Sequence, residues 1–159
     1  MNVMITGVAG FMGSHLADEF IRRGHKVVGI DNLVGGYCEN IPGSVEFYKK
    51  DLSDFDDVER YFKDIDLVVH TACTAYEGLS VFSPALITKN TSHITTVALS
   101  ASVKHGVKKF VHMSSMARYG EQDILPFTED MVPKPQDPYG IAKYASELLI
   151  KNICETHGM

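Results

Sequence analysis

Apolar and polar positions fall in blocks along this chain, and the blocks lay out its elements before any single residue is weighed. Val3-Met4-Ile5 is a short apolar run that reads as a buried strand, and it leads into Thr6-Gly7-Val8-Ala9-Gly10-Phe11-Met12-Gly13. A helix opens there with Phe11, Leu16, Phe20 and Ile21 on one face. Arg22-Arg23-Gly24 ends it, with basic residues set against the last carbonyls and glycine just past them. Lys26-Val27-Val28-Gly29-Ile30-Asp31 is a second strand, and Val45 to Lys49 alternates like a third and delivers Asp51-Leu52. Ser53 is then expected to cap a helix with Asp54, Asp56 and Asp57 in its first turn. Asp66 to His70 is the fourth strand, followed by Thr71-Ala72-Cys73-Thr74. The stretch from Ala75 to Phe82 has no periodicity and reads as a loop over a substrate. Ser83-Pro84 starts a helix running from 84 to about 105, rich in Thr, Ile and Val, with Asn90 as a polar residue that packing alone would not request. Phe110 to Ser115 is the fifth strand and ends in two hydroxyls. Residues 116–138 are loop-like, a length that points to function, and Asp137-Pro138 opens the last helix.

Strand, glycine turn, helix and repeated strand–helix alternation predict an α/β chain, a doubly wound parallel sheet of strand order 3-2-1-4-5, in one domain over 1–159. The ligand crevice of such a sheet lies outside the carboxyl ends of its strands. Gly7, Gly10 and Gly13, Asp31, Asp51, Thr71 and Ser115 all fall at those ends. The glycine turn gives close backbone approach, and the helix start after it, with Phe11 and Met12, favours an anion such as a pyrophosphate. The same spacing also serves a tight turn for steric reasons alone. Asp31 lies 18 residues after Gly13, where a dinucleotide fold needs a carboxylate for the adenosine ribose hydroxyls. Asn32 follows with no Arg or Lys close behind, which favours NAD over NADP. The small residues Thr71 and Ala72 suit a backbone passing close to a cofactor. His70 reads as a packed strand-end residue or as a catalytic one.

Composition narrows the classes. At 159 residues, 45% hydrophobic and 22% charged, the chain has a globular balance, and its net charge of −5 argues against a nucleic-acid surface. No apolar run approaches the ~18 residues of a membrane span. Cys38, Cys73 and Cys154 form neither a disulfide framework nor a zinc pattern, so a reducing cytoplasm is expected. The cluster Asp54, Asp56 and Asp57 invites a metal reading, but helix capping explains it more cheaply and no metal is expected.

The last helix carries Tyr139, Lys143 and Glu147 four residues apart on one face. A phenol is a poor base at its ordinary pKa of about 10. A nearby ammonium and an oxidised nicotinamide both favour the phenolate. Lys143 would supply the ammonium and bind the nicotinamide ribose, Ser115 would hold a substrate hydroxyl, and Tyr139 would take its proton as hydride leaves the carbon.

With these residues in place the chain resembles the extended short-chain dehydrogenase/reductase family, especially its NAD-dependent nucleotide-sugar epimerases. The resemblance runs from Met1 to the end and includes Thr6-Gly7-x-x-Gly10-x-x-Gly13, Asp31-Asn32, Asp51-Leu52, His70-Thr71-Ala72 and Asn90. It continues through Phe110-Val111-x-Met113-Ser114-Ser115, Tyr119-Gly120, Glu129 and Pro138-Tyr139-Gly140-x-x-Lys143. It implies a Rossmann-type sheet, Tyr139 as base with Lys143 as its partner, Ser115 on the substrate hydroxyl, Asn90 as an active-site anchor, and Asp51 and Leu52 against adenine. Family dehydratases and decarboxylases place an acid one or two positions after the Ser115 hydroxyl, where Met116 and Ala117 stand here. That favours a UDP-sugar 4-epimerase acting through a 4-keto sugar, with dehydratase or reductase as alternatives. Family members run to about twice this length, with further strands and a C-terminal substrate domain. The resemblance therefore implies a fragment, a half completed by a second polypeptide, or a non-catalytic NAD-binding module. In relatives the helices at 84–105 and 138–157 form a homodimer contact.

Overall fold

The computed structural model describes Met1–Met159. Five strands, β1 (Asn2–Thr6), β2 (Lys26–Asp31), β3 (Glu46–Lys49), β4 (Leu67–His70) and β5 (Lys109–His112), form one parallel sheet in the order β3-β2-β1-β4-β5, as the alternation predicts. Central β1 pairs with β2 up to Thr6↔Ile30 and with β4 up to Thr6↔His70, so the carboxyl ends of the strands lie side by side. Both faces are covered. Val3 and Ile5 pack with Val8, Ala17, Val27 and Val69, and Met4 packs on the other face with Val28, Ile30, Val68, Val97 and Ala98. A strand buried on both faces has no polar alternation to show, which is why β1 reads as a plain apolar run.

Helix α1 (Phe11–Arg22) lies on the first of these cores through Gly13 and Ala17, with Leu16, Phe20 and Ile21 partly buried beside them. Phe11 does not join that face: it is 82% exposed, because nine positions at 3.6 residues per turn set it about half a turn round the helix from Phe20. Arg22 and Arg23 also depart from expectation. Their guanidinium groups pair with Glu19 at 2.7 and 2.6 Å, an opposite charge one turn back, and not with the last carbonyls.

The helix after β3 is short, α2 (Phe55–Val58) running on as a 3-10 turn over Glu59–Phe62. Its cap is Asp54, whose carboxylate accepts from Asp57 N at 3.2 Å. Ser53 sits one residue too early and donates its N–H to Asp51. The expected loop after β4 contains a one-turn helix, α3 (Glu77–Ser80).

The helix expected from 84 to 105 is broken. It consists of α4 (Pro84–Thr88), a π turn at Lys89–His93 and α5 (Ile94–Lys104). Asn90 leaves helical geometry (φ −85°, ψ 16°), and its released carbonyl accepts from Thr74 N at 3.2 Å. A wide turn of this kind frees backbone groups to bond outside the helix, and such turns are frequent at functional sites.

Strand β5 stops at His112, three residues before Ser115. Ser115 instead caps a 3-10 turn over Met116–Arg118, its hydroxyl accepting from Ala117 N at 3.2 Å. Helix α6 (Pro138–His157) begins as expected, with Asp137 accepting from Gly140 N at 2.9 Å and Pro138 in the first turn.

Candidate active site

The glycine turn between β1 and α1 is shaped by contacts a side chain would forbid. Gly7 has φ +75°, and a Cβ there would lie 2.7 Å from Ala72 N. At Gly13 it would lie 2.2 Å from Gly7 O, so only glycine lets α1 seat directly on the turn. No side chain caps the start of α1 and no acid lies in its first turn, so its leading N–H groups are left to an anion.

A cavity of about 320 Å³ opens above this turn. Gly7, Gly10, Asp31, Asn32, Asp51, Leu52, Thr71, Ala72 and Asn90 line it, nine of the residues singled out from sequence. Asp31 holds the floor: its carboxylate accepts from Ala9 N at 3.0 Å and Leu33 N at 2.8 Å. Phe11 and Met12 stand exposed at the start of α1, outside the lining, and Gly13 is buried beneath it. The segment 34–36 also lines the cavity, and the sequence reading passed over it. It is folded down by Tyr37 N and Asn40 Nδ2, which donate to Ala9 O at 3.2 and 2.9 Å.

Ser115 and Tyr139 line a shallower depression that shares Ala75 and Tyr76 with the first cavity. Asn90 anchors that shared wall, its Nδ2 donating to Thr74 Oγ1 at 3.1 Å. Lys143 is 2% exposed and opens on neither space; its Nζ donates to Met113 O at 2.7 Å and sits 5.9 Å from the centre of the Tyr139 ring.

The electrostatics of Tyr139 differ from the expectation that Lys143 would favour its phenolate. Burial pushes the phenol up to about 12, and the neighbouring Cys73 thiol adds to the rise. A hydrogen bond with Ser115 pulls in the opposite direction. Burial also lowers the Lys143 pKa, partly offset by Cys73 and Glu147. Cys73 is thus a member of the site that sequence reasoning missed, since it stands in a run of small residues with no distinguishing spacing.

His70 is a core residue. It is 1% exposed, with Nδ1 2.7 Å from Thr6 Oγ1 and Nε2 2.9 Å from Thr95 Oγ1. The Thr95 hydroxyl donates to Thr91 O, so Nε2–H donates to Thr95 and Nδ1 accepts from Thr6. Burial, then the nearby His112 and Lys143 charges, hold its pKa well below the usual value.

Comparison with known proteins agrees with this geometry. The chain is 34% identical to UDP-arabinose 4-epimerase 1 of Arabidopsis thaliana, an alignment covering 99% of this chain and 40% of that protein. It is 32% identical to the UDP-glucose 4-epimerase of Streptomyces lividans, over 98% of this chain and 48% of that one. Among solved structures, the Thermotoga maritima UDP-glucose 4-epimerase with UDP-glucose superposes with a TM-score of 0.96 at 37% identity, covering 100% of this chain and 53% of that chain. The Thermus thermophilus UDP-glucose 4-epimerase complex with NAD gives 0.94 at 34% identity, over 100% and 52%. The chain therefore spans about half the length of these relatives. A sequence profile matches residues 3–159, and with the glycine turn, Asp31 and the Ser115–Tyr139 pair already in place it assigns the chain to the NAD-dependent epimerase/dehydratase family.

Proposed function

We propose that this chain is the NAD-binding half of a UDP-sugar 4-epimerase. The observation that carries the reading is the meeting of Ser115 and Tyr139 in a depression that shares a wall with the cavity over the glycine turn. The residues fit the cofactor: Gly13 leaves no room for a Cβ beside the turn, and Asp31 keeps unused lone pairs for ribose hydroxyls. The backbone of Gly7–Gly13 would hold the pyrophosphate, Asp31 and Asn32 the adenosine ribose, and Asp51 and Leu52 the adenine. Thr71 and Ala72 would flank the cofactor and Tyr139 would hold the nicotinamide ribose, which Lys143 would reach only by turning its Nζ from the Met113 carbonyl.

Bound NAD supplies the acceptor and donor of hydride. Ser115 would hold the sugar 4-hydroxyl, and Tyr139, its raised phenol pKa brought down by the positive charge of an oxidised nicotinamide beside it, would take that proton and return it once the 4-keto sugar has turned over. Asn90 keeps the intervening wall in place through Thr74. Three free thiols suit a reducing cytoplasm, and no helix is long and apolar enough to cross a membrane. Exposed Leu148 and Leu149 on α6 support a homodimer through the helices at 84–105 and 138–157. A second reading is a non-catalytic NAD module or a subunit completed by another polypeptide.

Calorimetric titration with NAD and NADP, followed by UDP-glucose or UDP-galactose, separates these readings. The enzyme reading expects preference for NAD, growth of the reduced-nicotinamide absorbance on adding sugar, and loss of that growth in Tyr139→Phe with NAD affinity intact. Equal NADP affinity contradicts the role of Asp31. NAD binding without reduction by any UDP-sugar favours the module.

A further inference from the structure

We propose that Glu147 is the positioning residue that sets Ser115 against Tyr139, by gripping the chain on both sides of Ser115 from the helix that carries Tyr139. The inference rests on the reading of Ser115 and Tyr139 as the pair that handles the substrate hydroxyl. Strand β5 ends at His112 and its ladder closes with Met113 N donating to His70 O at 3.1 Å, so residues 114–118 have no sheet register to fix them. Helix α6 fixes them in three successive turns. Tyr139 faces the same depression as Ser115, Lys143 Nζ donates to Met113 O, and Glu147 holds the remainder.

One Glu147 oxygen accepts from the hydroxyl of Ser114, the residue before Ser115. The other lies 2.9 Å from Arg118 Nε, close enough for strong charge attraction though not aligned for a hydrogen bond. Arg118 closes the turn that Ser115 caps, so the carboxylate holds both ends of a five-residue segment, 114–118. Arg118 is itself fixed, its guanidinium lying 4.8 and 5.8 Å from the ring centres of Tyr119 and Tyr144 and its Nη1 donating to Tyr119 Oη at 3.1 Å. From the helix side, a Cβ at Gly140 would lie 2.6 Å from Ala117 O, so the turn already abuts α6 and cannot move closer. Backbone contact limits approach and Glu147 limits retreat. A solvated surface pair would not be so placed: the Arg118 and Glu147 side chains are 20% and 25% exposed, against 70% and 40% for Arg22 and Glu19.

The test uses the full chain loaded with NAD and tyrosines carrying 13C at the ring carbon bearing oxygen. The Tyr139 signal is identified as the one missing from Tyr139→Phe, and its shift reports how closely the Ser115 hydroxyl approaches the phenol. Glu147→Ala is expected to move that signal in the same direction as Ser115→Ala, and to move it no further once Ser115→Ala is present. Glu147→Gln, of unchanged shape, keeps an acceptor for Ser114 and loses the charge toward Arg118. It should fall between the wild type and Glu147→Ala, and it serves as the readout if the alanine variant melts poorly. Where UDP-sugar reduces the bound cofactor, the rate at saturating sugar should drop roughly ten- to a hundredfold in Glu147→Ala with NAD affinity unchanged. A Tyr139 signal indifferent to both Glu147 variants, or effects that simply add to Ser115→Ala, overturns the proposal. Absence of cofactor reduction in the wild type counts against the epimerase reading alone, because the Tyr139 signal still decides the role of Glu147.

Discussion

At the scale of single residues, burial outweighs charge around the site, and His112 shows the consequence most directly. Neither of its ring nitrogens has a hydrogen-bond partner, and it stacks on His70 with centroids 5.5 Å apart. Burial, then the Lys143 charge, lowers its pKa from 6.5 to about 3. The folded state therefore prefers the neutral ring, whereas the unfolded chain takes up a proton near pH 6.5. Stability tied to His112 is fully present above that value and is lost as pH falls toward 3, at up to about 1.4 kcal/mol per pH unit. His112→Phe keeps the ring and removes the titration, so its melting temperature should fall less than that of the wild type on acidification. His70 leaves a residual slope of the same sign in both proteins. Parallel melting curves against pH would refute this account. The same dominance of burial explains why Tyr-x-x-x-Lys was readable as a pair while the state of Tyr139 was not. Spacing places Lys143 one turn away, but its ammonium is turned to the Met113 carbonyl, and burial with Cys73 sets the phenol.

At the scale of elements, helix α6 does most to build the site, and its start is fixed by a local signal. Asp137 accepts from Gly140 N, so one carboxylate caps α6, while the Ser80 hydroxyl 3.3 Å away gives its proton to Glu77 O at 2.6 Å. Asp137→Ala should cost about 1 kcal/mol, or roughly 2–4 °C in melting temperature, while Asp137→Asn should cost less. Calorimetric melts of the three proteins check this, and an unchanged alanine variant would mean that the cap contributes nothing. Caps of this kind are legible because donor and acceptor lie within four residues. The π turn at Asn90 was not legible, since the partner of its released carbonyl and of its side chain is Thr74, sixteen residues away in sequence and opposed only in the folded chain. The early end of β5 is similar. Ser115 could continue a strand or cap a turn, and contact of the 3-10 turn with α6 selects the cap.

At the scale of the whole molecule, the sheet is covered on both faces but β5 is an outer strand, with Val111 38% exposed on it. Helix α6 shows Ile141, Leu148 and Leu149 at 53%, 52% and 41% exposure, and Leu86 on α4 stands at 46%. Bare parallel edges and contiguous apolar helix faces both recruit further chain. The isolated 159-residue chain is expected to self-associate, and light scattering at micromolar concentration measures it. A stable monomer would show that these surfaces need no cover.

Sequence alone determined the sheet order, the glycine turn, Asp31 at the end of β2 and the start of α6, because each rests on contacts within a few residues or on a period that repeats along the chain. Nine residues expected at the ligand do line one cavity, since the ends of parallel strands must lie together once their order is set. Tertiary structure decided what depends on distant partners. It placed Cys73 against Tyr139 and Lys143, and it brought Glu147 to both flanks of Ser115. No periodicity encodes those meetings, because the residues involved lie tens of positions apart and come together only when helix α6 packs across the end of β5.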